Sequence, residues 1–298
     1  MSRGLLGHTT HAEHVAARWS GTSGAATTAL VLASLATVAA SIGVRALHNA
    51  PVDLPGVVVA VAPGFTIAGG VLSGLAAVAF ALRSARATAR VGLLFAGVFG
   101  SLGTVVPAVV VPAVVALVAG GGLALASETG PEDGWPDALR RAVPVVLLGG
   151  VALSLGAATG VLPTGLRSVG SALALTGLAA SPALVRPGHI GWVLGALAGG
   201  AVLWSGAALP FVAGAVTLVA FGLVGTPLVL FAVGVGGCVA TVVGSVRHRG
   251  AIGSTDRLRG VGTVLVLLAG APVSVGGATA VVLGTVLLAG LGSGGDRR

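Results

Sequence analysis

"RSARATAR", residues 83–90, sets three arginines between two long apolar runs, Leu54–Leu82 and Val91–Ser127. A guanidinium in hydrocarbon costs about 3 kcal/mol or more, so if the flanking runs lie in a membrane, this stretch must sit at one of its faces. The chain then turns round at these arginines and crosses again. The same pattern recurs along the sequence. Charged residues make up 8% of the 298 positions, against roughly 25% in an ordinary soluble domain, and the mean hydropathy is +1.05. A soluble protein needs polar side chains to cover its surface, and this chain lacks them. The expected fold is all-α: a polytopic transmembrane helical bundle.

Charged residues divide the chain into apolar blocks at Trp19–Val44, Leu54–Leu82, Val91–Ser127, Ala142–Leu166, Ser168–Val185, Ile190–Val246 and Gly260–Gly295. About 20 helical residues cross a hydrocarbon core roughly 30 Å thick. The first, fourth and fifth blocks are single spans. In the second, "APGF" (62–65) is expected to break the helix and leave residues 54–63 at the interface. Val91–Ser127 would reach roughly 55 Å as one helix; "GSLGTVVP" (100–107) supplies a turn near its middle, so two short helices are expected. Gly260–Gly295 behaves alike, with "GAPVSVGG" (270–277) at its centre. Ile190–Val246 fits two long spans or three short ones, with breaks at "ALPF" (208–211) or "GTP" (225–227). The expected count is ten helices, several short and Gly/Pro-interrupted, within a range of eight to eleven. The bounds are a polar His-containing tail at 1–22, a transmembrane domain at 23–292 with an acidic loop at 127–142 and a basic loop at 247–259, and a short polar tail at 293–298.

All sixteen basic residues are arginine. With ten helices and both termini on one side, fourteen arginines share that side, and only Arg45 and Arg167 fall on the other. Cytoplasmic loops carry the excess of basic residues. Residues 83–90 and both termini are therefore expected in the cytoplasm, with the protein in the plasma membrane. This topology leans on the choice of two spans for each ambiguous block. The stretch Ala25–Val44 is longer than a signal-peptide core and reads as a first helix that stays. A pI near 11.8 ordinarily suggests nucleic acid, but arginines spread thinly at the ends of apolar segments are topology determinants and headgroup anchors. The expected partners are the lipid bilayer and other membrane or cytoplasmic proteins, not nucleic acid.

Lys and Tyr are absent, Asn49 is the sole asparagine, and Ile occurs four times. These residues are encoded by AT-rich codons. With abundant Ala, Val, Gly and Arg, the composition resembles that of uncharacterised multi-pass membrane proteins of high-GC organisms such as haloarchaea or actinobacteria. The resemblance carries no functional motif and implies no site residue.

Glycine is the most informative small residue. In "GWVLGALAG", Gly191, Gly195 and Gly199 recur every four positions. Such spacing makes a flat helix face on which another backbone can approach closely. Gly70–Gly74 and Gly156–Gly160 repeat it, although one glycine in six residues produces some matches by chance. The Arg-led blocks also resemble repeated hairpins, a pattern that duplication and low complexity both produce.

Candidates for chemistry are few. His8, His11 and His14 fall on one helical face and are weak metal-ligand candidates; the spacing is not that of a metalloprotease, and a polar, flexible tail with neutral histidines is the favoured reading. Glu128, Glu132, Asp133 and Asp137 lie in the acidic loop. Their spacing does not match a calcium-binding loop, and their expected role is to hydrate the loop or dock a soluble partner. Cys238 is the sole cysteine, so no intramolecular disulfide can form. No ionisable residue falls deep in an expected span, which argues against proton relays, ion coupling and membrane catalysis. No cofactor and no enzyme activity are expected. The leading expectation is a non-enzymatic scaffold or accessory subunit of a membrane complex. Its alternative is a permease for a neutral or weakly polar solute, with Gly64 and Gly225 at helix breaks.

Overall fold

The computed structural model describes residues 7–48, 55–127, 135–209, 228–247 and 255–290, with side chains from residue 24 onward apart from positions 46, 48, 59, 135–137 and 255. Within them are ten helices of fifteen residues or more. They are α1 (Gly7–His48), α2 (Gly56–Arg83), α3 (Ala87–Val105), α4 (Val110–Ala126), α5 (Trp135–Ala158), α6 (Leu166–Ala180), α7 (His189–Ala208), α8 (Leu228–Arg247), α9 (Thr255–Ala269) and α10 (Val275–Ala289). A 3-10 turn, Pro107–Val109, leads into α4, and a single helical turn, Pro182–Val185, extends α6. Eight of these segments are long and apolar enough to cross a membrane. The fold is an all-α polytopic transmembrane bundle.

The two hairpins expected inside long apolar blocks are present. Helix α3 stops at Val106, where the extended backbone before Pro107 ends the helix. Helices α9 and α10 are separated by Gly270–Ser274, with Gly270 at φ 60, a conformation glycine adopts without strain. The break expected at residues 62–65 is absent, because α2 runs unbroken through Pro63. Proline removes one hydrogen bond, whereas a broken helix in an apolar medium orphans several donors and acceptors at several kcal/mol each. Pro63 and Gly64 are exposed, and nothing lies within 4 Å of a Cβ added at Gly64. Gly225 and the breaks proposed within 210–227 lie outside the described residues. The polar ends are also more helical than expected: α1 begins at Gly7, and α5 begins at Trp135, inside the 127–142 segment.

Inside a bilayer, lipid tails are as apolar as leucine, so helices associate by close packing and hydrogen bonds rather than by the hydrophobic effect. This chain meets that requirement with glycines that touch the neighbouring backbone. A Cβ added to Gly74 of α2 would lie 2.6 Å from the Gly97 carbonyl oxygen of α3. Gly92 of α3 and Gly120 of α4 face each other in the same way. A Cβ added to Gly150 of α5 would lie 2.8 Å from the Gly170 carbonyl, and one added to Gly262 of α9 would lie 2.5 Å from that of Gly284 in α10. Helices α1 and α2 are joined by hydroxyls instead, through Ser34–Ser73 at 2.6 Å and Ser41–Thr66 at 2.8 Å.

Helix α10 is the centre of the bundle. Thirteen of its fifteen residues, Val275, Gly276 and Ala278–Leu288, are buried. Ala278, Val281 and Val282 belong to one buried cluster, which extends through α4 and α5 to α6 and α8, and Ala280, Leu283 and Leu287 to another shared with α1 and α2. At fifteen residues it reaches about 22 Å, short of a full crossing.

Candidate functional site

The arginines at one end of the bundle act as caps and clasps. Arg86 Nη1 donates to the Ser127 carbonyl at 2.8 Å, closing the C-terminus of α4, and Arg90 Nη2 donates to the Ser84 carbonyl at 2.9 Å. Arg259 Nη1 bonds both the Leu184 carbonyl, at 3.3 Å, and Asp256, at 3.1 Å. A cation beside terminal helix carbonyls is favourably placed against the helix dipole. Residues 83–90 therefore form the arginine-rich end of the molecule.

The opposite end is built differently. There a cavity of about 140 Å³ opens between the end of α1, the first half of α2, the start of α6 and the α9–α10 turn. Arg45 and Arg167, the two arginines that the topology rule left over, both line it. Ser41, Thr66 and Ser274 supply hydroxyls. Arg45 Nη2 donates to Thr66 Oγ1 at 3.1 Å, and Thr66 is paired with Ser41. Arg167 is the second residue of α6, where a cation opposes the helix dipole. Its Nε is buried without a hydrogen-bond partner, a defect worth about 1–3 kcal/mol for a neutral donor and more for a charged one.

The floor of this vestibule is the N-terminus of α10. Ser274 caps it, accepting from the Gly277 amide at 3.3 Å. The preceding amides, of Val275 and Gly276, point out of the helix end and have no acceptor within it. A Cβ added to Gly70 would lie 2.5 Å from the Gly276 Cα, so α10 starts level with the middle of α2. Two guanidinium groups and the N-terminus of α10 thus border one cavity.

A model of an integral membrane family of unknown function, DUF8068, matches residues 26–289, from the apolar part of α1 to the last residue of α10. The chain belongs to that family. No curated protein and no solved structure matches this DUF8068 chain.

The residues singled out in the sequence are placed as follows. Gly191, Gly195 and Gly199 are buried on α7 and face α8 of the same DUF8068 chain. Added Cβ atoms would meet the Ala240 carbonyl at 3.2 Å, the Gly236 carbonyl at 2.5 Å and the Ala232 carbonyl at 2.9 Å respectively. Gly156–Gly160 forms no such face: Gly160, at φ 75, lies beyond the end of α5. His8, His11 and His14 lie on α1, but their side chains are outside those described, as is that of Asp137 on α5. Glu128, Glu132 and Asp133 fall wholly outside the described residues. Cys238 is buried in α8. An apolar groove of about 400 Å³ runs beside Trp192, Gly199 and Leu203, with no hydroxyl or charge in its lining. Arg45 and Arg167 were not selected from sequence as site residues. Their signal was that they break the arginine asymmetry.

Proposed function

We propose that this DUF8068 protein is a non-enzymatic permease for a small polar solute, seated in the plasma membrane with its arginine-rich end in the cytoplasm. The carrying observation is the vestibule, which descends to half the height of α2 and ends on a hairpin too short to cross the membrane. Interrupted helices of this kind place backbone groups and helix termini at membrane depth, where a solute can replace its water. Movement of α9–α10 against α1 and α2 would expose the cavity to the other side. The fourteen-to-two arginine distribution supports the orientation.

The test is uptake into liposomes of a panel of small neutral and anionic solutes. Gly70→Leu is expected to abolish uptake by driving a side chain into the α10 start. Gly64→Leu, six positions before Gly70 along α2 in open space, is expected to preserve it. Equal effects of both substitutions, or no uptake of any solute by the wild type, would sink the permease reading.

An accessory-subunit role rests on a different observation. Among the described residues α7 packs chiefly on α8, leaving Leu197 and Trp204 exposed on its outer flank. A stoichiometric protein partner retained in mild detergent, and lost on Leu197→Arg, would favour that role.

A further inference from the structure

We propose that the groove between α6, α7 and α8 holds an acyl chain of one anionic phospholipid, whose headgroup sits at Arg186 and Arg247. The proposal is independent of the permease reading, since the groove and the vestibule share no lining residue.

The apolar channel is the first observation. Ala179 of α6, Trp192, Gly200 and Leu203 of α7, and Val233 and Gly236 of α8 line a groove of about 400 Å³. Trp192 and Val233 are half exposed, so it opens sideways, out of the bundle. Walls from three helices offer an acyl chain more close contacts than a convex helix face does. From Trp192 to Leu203, α7 rises about 16 Å, the depth of one leaflet of a hydrocarbon core roughly 30 Å thick. That length suits a lipid tail. A spanning helix of a second copy would need a seam across both leaflets.

The second observation is where the three walls end. Arg186 follows α6 and its extra turn, His189 opens α7, and Arg247 closes α8. All three are exposed. His189 lies three residues before Trp192, and Arg247 lies eleven and fourteen residues after Gly236 and Val233, close to three and four whole turns. Both therefore continue the faces that line the groove. A Cβ added to Gly188 would lie 3.7 Å from Arg247 Nη1, so this guanidinium reaches from α8 across to the start of α7. Among the described residues neither Arg186 nor Arg247 forms an ion pair, and Asp256 is taken by Arg259. Residues 248–254 add His248 and Arg249 and no acid. Trp192, one turn below, suits the headgroup boundary.

The third observation is the backbone of Arg186. Among the described residues it alone, other than glycine, has a positive φ, of 52. Glycine holds that conformation without strain and arginine does not. The strain is borne by a residue whose guanidinium extends into solvent, and a headgroup phosphate gives that guanidinium a partner.

The full chain is purified in mild detergent and equilibrated with mixed micelles of phosphatidylglycerol or phosphatidylcholine with identical acyl chains. Native mass spectrometry counts the lipids retained, and thermal unfolding is followed alongside. One phosphatidylglycerol per chain is expected, held at least about tenfold more tightly than phosphatidylcholine, because each arginine near an anionic surface contributes about a fivefold factor. Its binding should raise the melting temperature. Gly200→Leu fills the groove at a position with nothing within 4 Å of an added Cβ, and is expected to lower retention of both lipids. Arg247→Gln is expected to reduce the preference for phosphatidylglycerol about fivefold, whereas Arg83→Gln, exposed at the end of α2, leaves it unchanged. Arg186→Gly separates the headgroup role from the fold. It is expected to melt at or above the wild type without lipid, since glycine suits the backbone, and still to lose about fivefold of the preference.

The proposal is overturned if no lipid is retained, or if phosphatidylcholine is retained equally. It is overturned if Arg186→Gly and Arg247→Gln keep the full preference, or if Arg83→Gln costs as much as they do, since the attraction is then a diffuse field. A wild-type dimer that Gly200→Leu turns into a monomer, with lipid retention unchanged, would overturn it by making the groove an interface between copies.

Discussion

At Gly195 a single methyl group has nowhere to go. The added Cβ would lie 2.5 Å from the Gly236 carbonyl oxygen, so α7 and α8 must separate to admit it. Gly200, five residues on, has nothing within 4 Å. Gly195→Ala is expected to destabilise the protein by about 1–3 kcal/mol through overpacking, and Gly200→Ala to be neutral or stabilising by up to about 1 kcal/mol. Denaturant titration in mixed micelles checks the pair, and equal effects would mean that glycine content rather than close approach matters. The stripe Gly191–Gly195–Gly199 was legible because both its members and their spacing lie on one helix. The pairs Gly150–Gly170 and Gly262–Gly284 were not, because each pairing depends on the register between two helices. Arg45 and Arg167 were legible as exceptions to a rule, but their meeting in one cavity needed the tertiary structure.

The decisive element is the α9–α10 hairpin. Its turn was readable in "GAPVSVGG", since glycine and proline punctuate an apolar run whatever surrounds it. The survival of α2 through Pro63 was not readable, because the cost of a break depends on the surrounding medium. Two fifteen-residue helices of about 22 Å each place the turn within the vestibule rather than beyond it. Single cysteines in a Cys238→Ala background test that placement. Val273→Cys, in the half-exposed turn, is expected to react with a membrane-impermeant thiol reagent from the same side as Val161→Cys, but more slowly. Ala87→Cys, at the arginine-rich end, should react only from the opposite side. Labelling of Val273→Cys alongside Ala87→Cys would overturn the hairpin's direction.

At the scale of the molecule, most of the described helices pack against one, α10, whose residues are nearly all buried. Hydropathy was enough for the all-α bundle, whereas the division of long blocks into short helices also needed their glycine and proline breaks. It did not give α10's central position, because a helix that is apolar all round carries no stripe to say which neighbours it faces. Both packed clusters lose side chains if α10 is removed, since its two faces serve one each. A chain ending at residue 250 is therefore expected to lose its compact fold, as a broadened, aggregated profile in size-exclusion chromatography; a monodisperse truncated protein would mean that α1–α8 hold together unaided. The same feature sets an order of events during synthesis. Helices leave the ribosome in sequence, and α10 comes after α1–α5 and α9, the helices it packs against. Until it arrives, the nascent assembly has a vacant axis, and its neighbours must remain loose enough in the membrane to admit it. The glycine contacts among α2, α3 and α4 can form early, but final closure waits on the insertion of this pillar. Maturation, in this protein, proceeds from the outside in.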